Sequence, residues 1–134
     1  MTILTIHEIP IQISPRQHIL NKIITIILEK KHVCPIITLN ICMLHEYYQR
    51  PSLLKWLKQT PIVIPDGISI STMLTIKSNQ RIPRYPGIDC VQDVLNTTRG
   101  LRIAMIGATK NNNRLAQEWV TKQYPQHLIC CAFD

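Results

Sequence analysis

Four short runs of almost wholly apolar residues constrain the fold of this chain more than any other feature. They occupy residues 35–39, 61–64, 101–106 and 128–133 of the 134. A strand that is apolar on both sides has to be covered on both faces, as in the parallel sheets of α/β proteins. Segments with helical spacing of apolar residues separate the runs. This alternation predicts an α/β fold, a Rossmann-like and mostly parallel sheet with helices on both faces.

The segments between the apolar runs carry the signals of helices. Ser14-Pro15 begins a helix that runs to about Lys31, with proline at the first position, where its missing N–H matters least. Further helices are predicted over residues 42–49, 53–58, 68–78 and 87–98. A last helix, with Leu115, Ala116, Trp119 and Val120 on one face, is predicted to end near Tyr124. Residues 2–13 have a loose alternation that predicts extended chain broken at Pro10. No linker or repeat interrupts the pattern, so residues 1–134 are predicted to form a single domain.

The charge balance indicates an anionic partner. The chain has 15 Lys and Arg against 8 Asp and Glu, a net charge of +7. Phosphorylated small molecules, nucleic acids and anionic membranes all attract such a protein, and a generally basic, solvated surface is the alternative. Aromatic residues make up only 5% of the chain. We therefore predict no nucleic-acid partner, because an array of aromatic side chains on which bases could stack is missing.

The remaining composition argues against a metal centre and a membrane span. The five cysteines form no C-x-x-C pair, the histidines have no ligand spacing, and no D-x-D pair occurs. We interpret the cysteines as buried, reduced thiols of a cytoplasmic protein, and we predict neither metal nor cofactor. The longest apolar run, residues 23–28, is far shorter than the roughly 20 residues that cross a bilayer. Any membrane contact would therefore be peripheral.

Asp66 is the first candidate for chemistry. It follows the apolar run 61–64 within Pro65-Asp66-Gly67 and precedes a predicted helix. Ligands of α/β sheets bind at the carboxyl ends of the strands, where a carboxylate can serve as a general base. A turn residue, or a cap of the following helix, is the alternative. Gly67 is interpreted as a turn glycine with positive φ or a close approach of the backbone.

Three further groups follow strand ends or lie in loops. Thr38 and Asn40 project to the same side of their strand and could hold a sugar, or Asn40 could cap the next helix. Gly107-Ala108-Thr109 joins a strand to a helix, where free N–H groups can face a phosphate; an ordinary loop is the alternative. Arg84 lies in a proline-rich segment, and it either clamps a diphosphate or is a solvated surface residue.

Taken in order, these groups resemble a known family. The succession of T-x-N at Thr38 and Asn40, Pro65-Asp66-Gly67, R-x-x-G-x-D from Arg84 to Asp89, and a strand ending in Gly107 is similar to the WecG/TagA/CpsF glycosyltransferases. The succession is much more specific than any one of its parts. The resemblance covers nearly all of the chain.

The resemblance implies an inverting, metal-independent glycosyltransferase. It would move an N-acetylmannosamine-type sugar from a UDP donor to an undecaprenyl-diphosphate-linked N-acetylglucosamine, in the synthesis of cell-surface polysaccharide or teichoic acid. By resemblance, Asp66 is the general base that deprotonates the acceptor hydroxyl. The implied substrate-binding residues are Thr38, Asn40, Gly67, Arg84 and Asp89, and the implied nucleotide-binding residues are Gly107, Ala108 and Thr109. The expected location is the cytoplasm, at the inner face of the cell membrane. A homo-oligomer is compatible with the resemblance.

Two departures from the family pattern accompany the resemblance. Family members commonly have two glycines where this chain has Gly107-Ala108. They also continue well beyond the position that matches Asp134, so the domain is expected to be truncated at its C-terminal end. The second hypothesis is therefore a truncated, inactive homologue that at most binds nucleotide or a partner chain.

Overall fold

The α/β class is confirmed by the computed structural model, which describes residues 2–29 and 33–133. In that part of the chain the strands are β1 (Ile3–Ile6), β2 (Ile9–Gln12), β3 (Ile36–Leu39), β4 (Ile62–Pro65), β5 (Arg102–Ile106) and β6 (Leu128–Phe133). The helices are α1 (Arg16–Glu29), α2 (Ile41–Gln49), α3 (Pro51–Gln59), α4 (Ile68–Ser78), α5 (Gly87–Thr97) and α6 (Lys110–Gln123). The predicted end of the first helix, near Lys31, lies outside the described residues.

The four apolar runs form two parallel strand pairs. β3 pairs with β4 and β5 pairs with β6, each pair connected through helices. Parallel pairing needs such crossovers, so the alternation of apolar runs and helical segments led to the correct elements. The described strands hydrogen-bond two by two, and a continuous Rossmann-like sheet covered on both faces stays a prediction.

The first two strands form an antiparallel hairpin, and the predicted break at Pro10 is wrong. Pro10 lies within β2, opposite Thr5, and the chain reverses earlier, at His7 and Glu8. Both turn residues have positive φ, 47° and 67°, which gives a turn whose twist matches that of the strands. The fixed φ of proline suits extended backbone, and proline lacks only the backbone N–H. It can therefore occupy a strand position at which no N–H has to hydrogen-bond to the neighbouring strand.

Residues 1–91 form one compact unit and residues 92–134 a second, with the division inside α5. The core of the first unit is aliphatic and combines strands and helices: Ile6, Ile9, Ile11, Leu39, Leu44, Leu57, Val63, Ile70, Leu74 and Ile82. Its centre is β4, whose four residues are all buried. The core of the second unit contains Leu95, Val120 and Tyr124, with Leu101, Ile103, Met105 and Ile129 packed against them.

The five cysteines are free thiols, but the prediction that they are buried holds only for Cys90. Cys42 and Cys130 are exposed. Cys130 is the extra residue of a bulge in β6, because Ile103 pairs with Ile129 and Ala104 pairs with Cys131. Its sulfur lies 3.9 Å from the Cys131 sulfur. The apolar sequence around Cys130 indicated burial, but the bulge takes its side chain out of the regular alternation.

Candidate functional site

Asp66 lies at the carboxyl end of the buried strand β4, between two neighbouring segments. Its N–H donates to the Leu39 carbonyl of β3 at 3.0 Å, and the Tyr85 N–H donates to the Pro65 carbonyl at 2.6 Å. Leu39 and Pro65 are register partners, so β3 and β4 end at the same level. The turn after β4 is therefore anchored on both sides by backbone hydrogen bonds.

The Asp66 side chain does not cap the helix that follows. Gly67 is the N-cap of α4, and the cap makes no side-chain hydrogen bond. Asp66 itself is half-buried. Among the described residues, its carboxylate accepts no hydrogen bond and forms no ion pair. The helix-cap alternative is thus wrong.

Gly67 does not have the positive φ that the sequence indicated. Its φ is −85° and its ψ is 154°, an extended conformation open to any residue. A β-carbon added at Gly67 would lie 3.5 Å from the Asn40 Cβ, an ordinary packing distance. A glycine between an aspartate and a helix is typical of a tight turn. The chain instead enters α4 directly from extended backbone.

Asn40 and Thr38 flank this turn on the β3 side. The Asn40 Oδ1 accepts a hydrogen bond from the Met43 N–H at 2.9 Å and caps α2, as the capping alternative predicted. The cap occupies its oxygen. Thr38 lies beside the start of α5, because a β-carbon added at Gly87 would lie 2.8 Å from the Thr38 Oγ1. Only glycine fits there without displacing the threonine hydroxyl.

Arg84 and Asp89 lie on either side of the start of α5. Arg84 is exposed, whereas the neighbouring Tyr85 is buried. The Asp89 Oδ2 is 3.5 Å from the Arg16 Nη1, and the Arg16 guanidinium carbon lies 5.0 Å from the centroid of the Tyr85 ring. The Asp89 carboxylate therefore forms an ion pair with the Arg16 side chain.

Sequence reasoning missed Arg16. The one signal that could have indicated it is its place as the first residue of α1. The positive end of the helix dipole disfavours a cation in the first turn of a helix. An arginine at that position therefore indicates a contact outside its own helix.

The loop Gly107–Thr109 belongs to the second unit. Gly107 and Ala108 both have positive φ, 95° and 65°, and the Asn113 side chain donates to the Gly107 carbonyl at 3.0 Å. The Thr109 Oγ1 accepts from the Asn112 N–H at 3.4 Å and caps α6. No atom lies within 4 Å of a β-carbon added at Gly107, so the space above it is open.

The first unit thus brings together four of the predicted site residues at the neighbouring ends of β3 and β4: Thr38, Asn40, Asp66 and Gly67. Arg84 and Asp89 lie on the segment that the Tyr85 hydrogen bond attaches to β4.

Across residues 2–29 and 33–133, no three His, Cys, Asp or Glu side chains form a group suited to a metal ion. In the same residues, no helix combines the length and the apolar character that crossing a bilayer requires.

The sequence matches the family model described as the glycosyl transferase WecG/TagA/CpsF family over residues 4–134. No curated protein matches the sequence.

Proposed function

Because the chain belongs to the WecG/TagA/CpsF family of glycosyltransferases, we propose that it transfers an N-acetylmannosamine-type sugar from a UDP donor to a lipid-diphosphate-linked N-acetylglucosamine. The transfer inverts the configuration at the anomeric carbon and uses no metal ion. The single observation that carries the proposal is the half-buried Asp66 carboxylate, which has no partner among the described residues and lies at the carboxyl end of β4.

Asp66 acts as the general base in this proposal. An acceptor hydroxyl attacks the anomeric carbon of the donor sugar, and its oxygen forms the new glycosidic bond. The bond from that carbon to the phosphate oxygen breaks, and UDP leaves with the electron pair. The Asp66 carboxylate takes the proton of the attacking hydroxyl. Such a base must be free to accept a proton, which the lack of a partner around this carboxylate supports.

The groups around Asp66 bind the two substrates. Thr38 offers a hydroxyl, and Asn40 offers its side-chain N–H₂, since its oxygen is already used as the cap of α2. Gly67 leaves the approach to the Asp66 turn free of a side chain. Asp89 acts through the Arg16 pair described above, and Arg84, which is exposed, meets the diphosphate through its planar guanidinium.

The nucleotide part of the donor is assigned to Gly107, Ala108 and Thr109. The open space above Gly107 and the start of the long helix α6 support this assignment. N–H groups at the first turn of a helix and its positive dipole end favour a phosphate. The hydroxyl oxygen of Thr109 accepts the capping bond, so Thr109 contributes its O–H and its backbone N–H as donors.

The proposed location is the cytoplasm, at the inner face of the cell membrane. A lipid-linked acceptor requires contact with the membrane surface, and the net charge of +7 supports peripheral contact with anionic lipids. The proposed partners are the two substrates, with a homo-oligomer compatible with the proposal and no nucleic acid.

The test is the turnover of the variant Asp66→Asn. Asparagine keeps the shape of the side chain but cannot accept the proton, so we expect a fall in kcat of about 100-fold or more. Release of UDP from UDP-N-acetylmannosamine is measured with a lipid-diphosphate acceptor, and UDP binding is measured by calorimetry. The matched control is Glu46→Gln, an exposed carboxylate on α2 that pairs with Arg50. Equal turnover in Asp66→Asn and wild type would refute the base assignment. UDP binding without turnover in the wild-type chain would favour the inactive, nucleotide-binding homologue.

A further inference from the structure

We propose that Arg16 is a positioning residue that holds the segment carrying Arg84 in place for the donor diphosphate. The proposal rests on the proposed function for its ligand, but not for the contacts that support it. Arg16 begins α1 and lies far from Arg84 in the sequence. Its side chain reaches the segment that carries Arg84.

One guanidinium contacts the residues on both sides of Pro86-Gly87. On one side, the Arg16 guanidinium carbon lies 5.0 Å from the centroid of the Tyr85 ring. On the other side, the Arg16 Nη1 lies 3.5 Å from the Asp89 Oδ2. The two contacts span the junction at which the chain leaves the irregular segment and begins α5. Arg16 therefore clamps that junction to the start of α1.

The clamp acts on a segment that the backbone already attaches to the candidate site. The buried Tyr85 donates its N–H to the Pro65 carbonyl, one residue before Asp66. The Cys90 N–H donates to the Pro86 carbonyl at 2.9 Å and closes the first turn of α5. Arg84 is the residue directly before Tyr85, and it is exposed. A change in the Tyr85 position therefore moves Arg84 with respect to the Asp66 turn.

An arginine suits this role better than any other residue. A cation in the first turn of α1 is opposed by the dipole of that helix, whereas Asp89 is favourable in the first turn of α5. The stability of α1 alone thus does not account for Arg16. A planar guanidinium can lie over an aromatic ring and pair with a carboxylate at the same time. A lysine keeps the charge but loses the planar contact.

The variants Arg16→Gln and Arg16→Lys test the proposal, with Arg50→Gln as the matched control. Arg50 also pairs with an acidic side chain, Glu46, at 3.6 Å, but on the exposed surface of α2. We expect Arg16→Gln to raise the KM for the UDP-sugar about five-fold, because one ion pair and one cation–ring contact are lost. The kcat of this variant should stay within about two-fold of the wild-type value. We expect Arg16→Lys to have an intermediate KM and Arg50→Gln to match wild type.

A second readout does not depend on sugar transfer. Amide hydrogen exchange at Tyr85 and Cys90 is expected to be faster in Arg16→Gln than in wild type, and unchanged in Arg50→Gln, while the melting temperature stays close to that of wild type. Equal exchange in Arg16→Gln and wild type overturns the proposal, whether or not the chain transfers sugar. A fall in kcat with an unchanged KM also overturns it. A wild-type chain without transfer refutes the proposed function, and in that case faster exchange in Arg16→Gln still supports the clamp.

Discussion

At the scale of single residues, Ala108 is in a backbone conformation that its side chain disfavours. Its φ of 65° lies in the left-handed region, in which an L-residue with a β-carbon is less stable than glycine by about 1–2 kcal/mol. Glycine, which has no β-carbon, would adopt the same conformation without this penalty. Ala108 therefore stores strain in the loop between β5 and α6.

We predict that Ala108→Gly stabilises the protein. Glycine removes the left-handed penalty but has more conformational freedom in the unfolded chain, which leaves a net gain of about 0.5–1 kcal/mol. Urea unfolding monitored by circular dichroism measures the difference. Ala116→Gly, in the middle of α6, is the opposite control and should destabilise by about 1 kcal/mol. A loss of stability in Ala108→Gly would contradict the left-handed assignment.

The residues of the candidate site differ in how far sequence alone could predict them. The position of Asp66 at a strand end could be predicted, because it follows the apolar run 61–64 after Pro65, and ligands of α/β proteins bind at strand ends. Its role as the base stays a prediction. The capping role of Asn40 was one of two local alternatives, and a local hydrogen bond to Met43 decided it. Arg16 could not be predicted, because both of its contacts, Tyr85 and Asp89, are distant in the sequence and depend on packing.

At the scale of elements, the β1–β2 hairpin depends on contacts from three helices. His7 and Glu8 both have positive φ, although neither is the asparagine or glycine that such turns favour. The Glu8 carboxylate accepts a hydrogen bond from Lys58 of α3, and the His7 ring meets the Tyr48 ring of α2 edge-on at 5.5 Å. The Lys77 Nζ of α4 donates to the Thr5 carbonyl at 2.5 Å. These contacts hold a turn that its own residues would not specify.

The Glu8–Lys58 ion pair predicts a pH dependence. The hydrogen bond from Lys58, and next its charge, lower the pKa of Glu8 below its ordinary value. A carboxyl whose pKa is lower in the folded state stabilises the fold above its unfolded pKa, and the contribution is lost as the pH falls through the folded value. The advantage of wild type over Glu8→Gln in free energy of unfolding should therefore be present at neutral pH and vanish in acid.

Urea unfolding of both proteins across a series of pH values measures this dependence. Because the pair is exposed, added salt should reduce the difference at neutral pH. In a Lys58→Met background, Glu8→Gln should show no pH-dependent difference, since the partner that lowers the pKa is gone. A difference that persists in acid would mean that Glu8 acts through its shape rather than its charge.

The same hairpin shows why some elements could be predicted and others could not. The four apolar runs could be predicted as strands because short runs of this kind are typical of parallel sheets. In the structure β4 is buried at every residue, whereas exposed residues alternate along β5. The hairpin strands alternate only loosely, and His7-Glu8 is not a turn sequence, so the reversal had no local signal. Contacts with α2, α3 and α4 specify it instead. Long-range contacts of this kind do not appear in a sequence pattern.

At the scale of the whole molecule, the order of the motifs carried more information than any single motif. Each of Thr38, Asp66 and Gly107 has an ordinary structural explanation when taken alone. Their succession along almost the whole chain identified the family, which the match over residues 4–134 confirms. The overall composition contributed a different property, the net charge of +7, which no single site accounts for.

That charge leads to a prediction about membrane binding. If the acceptor is lipid-linked, the protein has to approach the anionic inner face of the membrane, and a basic surface provides the attraction, about 1 kcal/mol for each Lys or Arg near the surface. Screening by salt weakens such attraction, because the Debye length shortens from about 10 Å at 0.1 M to about 3 Å at 1 M. We expect the chain to sediment with phosphatidylglycerol vesicles at 0.1 M salt. Its partition coefficient for these vesicles should fall at least about ten-fold when the salt is raised to 1 M.

Vesicles of phosphatidylcholine alone are the control for this prediction, because they have no net charge to attract a basic protein. Binding to them, or binding to anionic vesicles that salt leaves unchanged, would contradict an electrostatic contact. Salt-resistant binding would point instead to insertion of exposed apolar side chains such as Leu53 and Trp56 of α3. The variant Trp56→Ser separates the two mechanisms, since it should lower only the salt-resistant part and leave electrostatic binding intact.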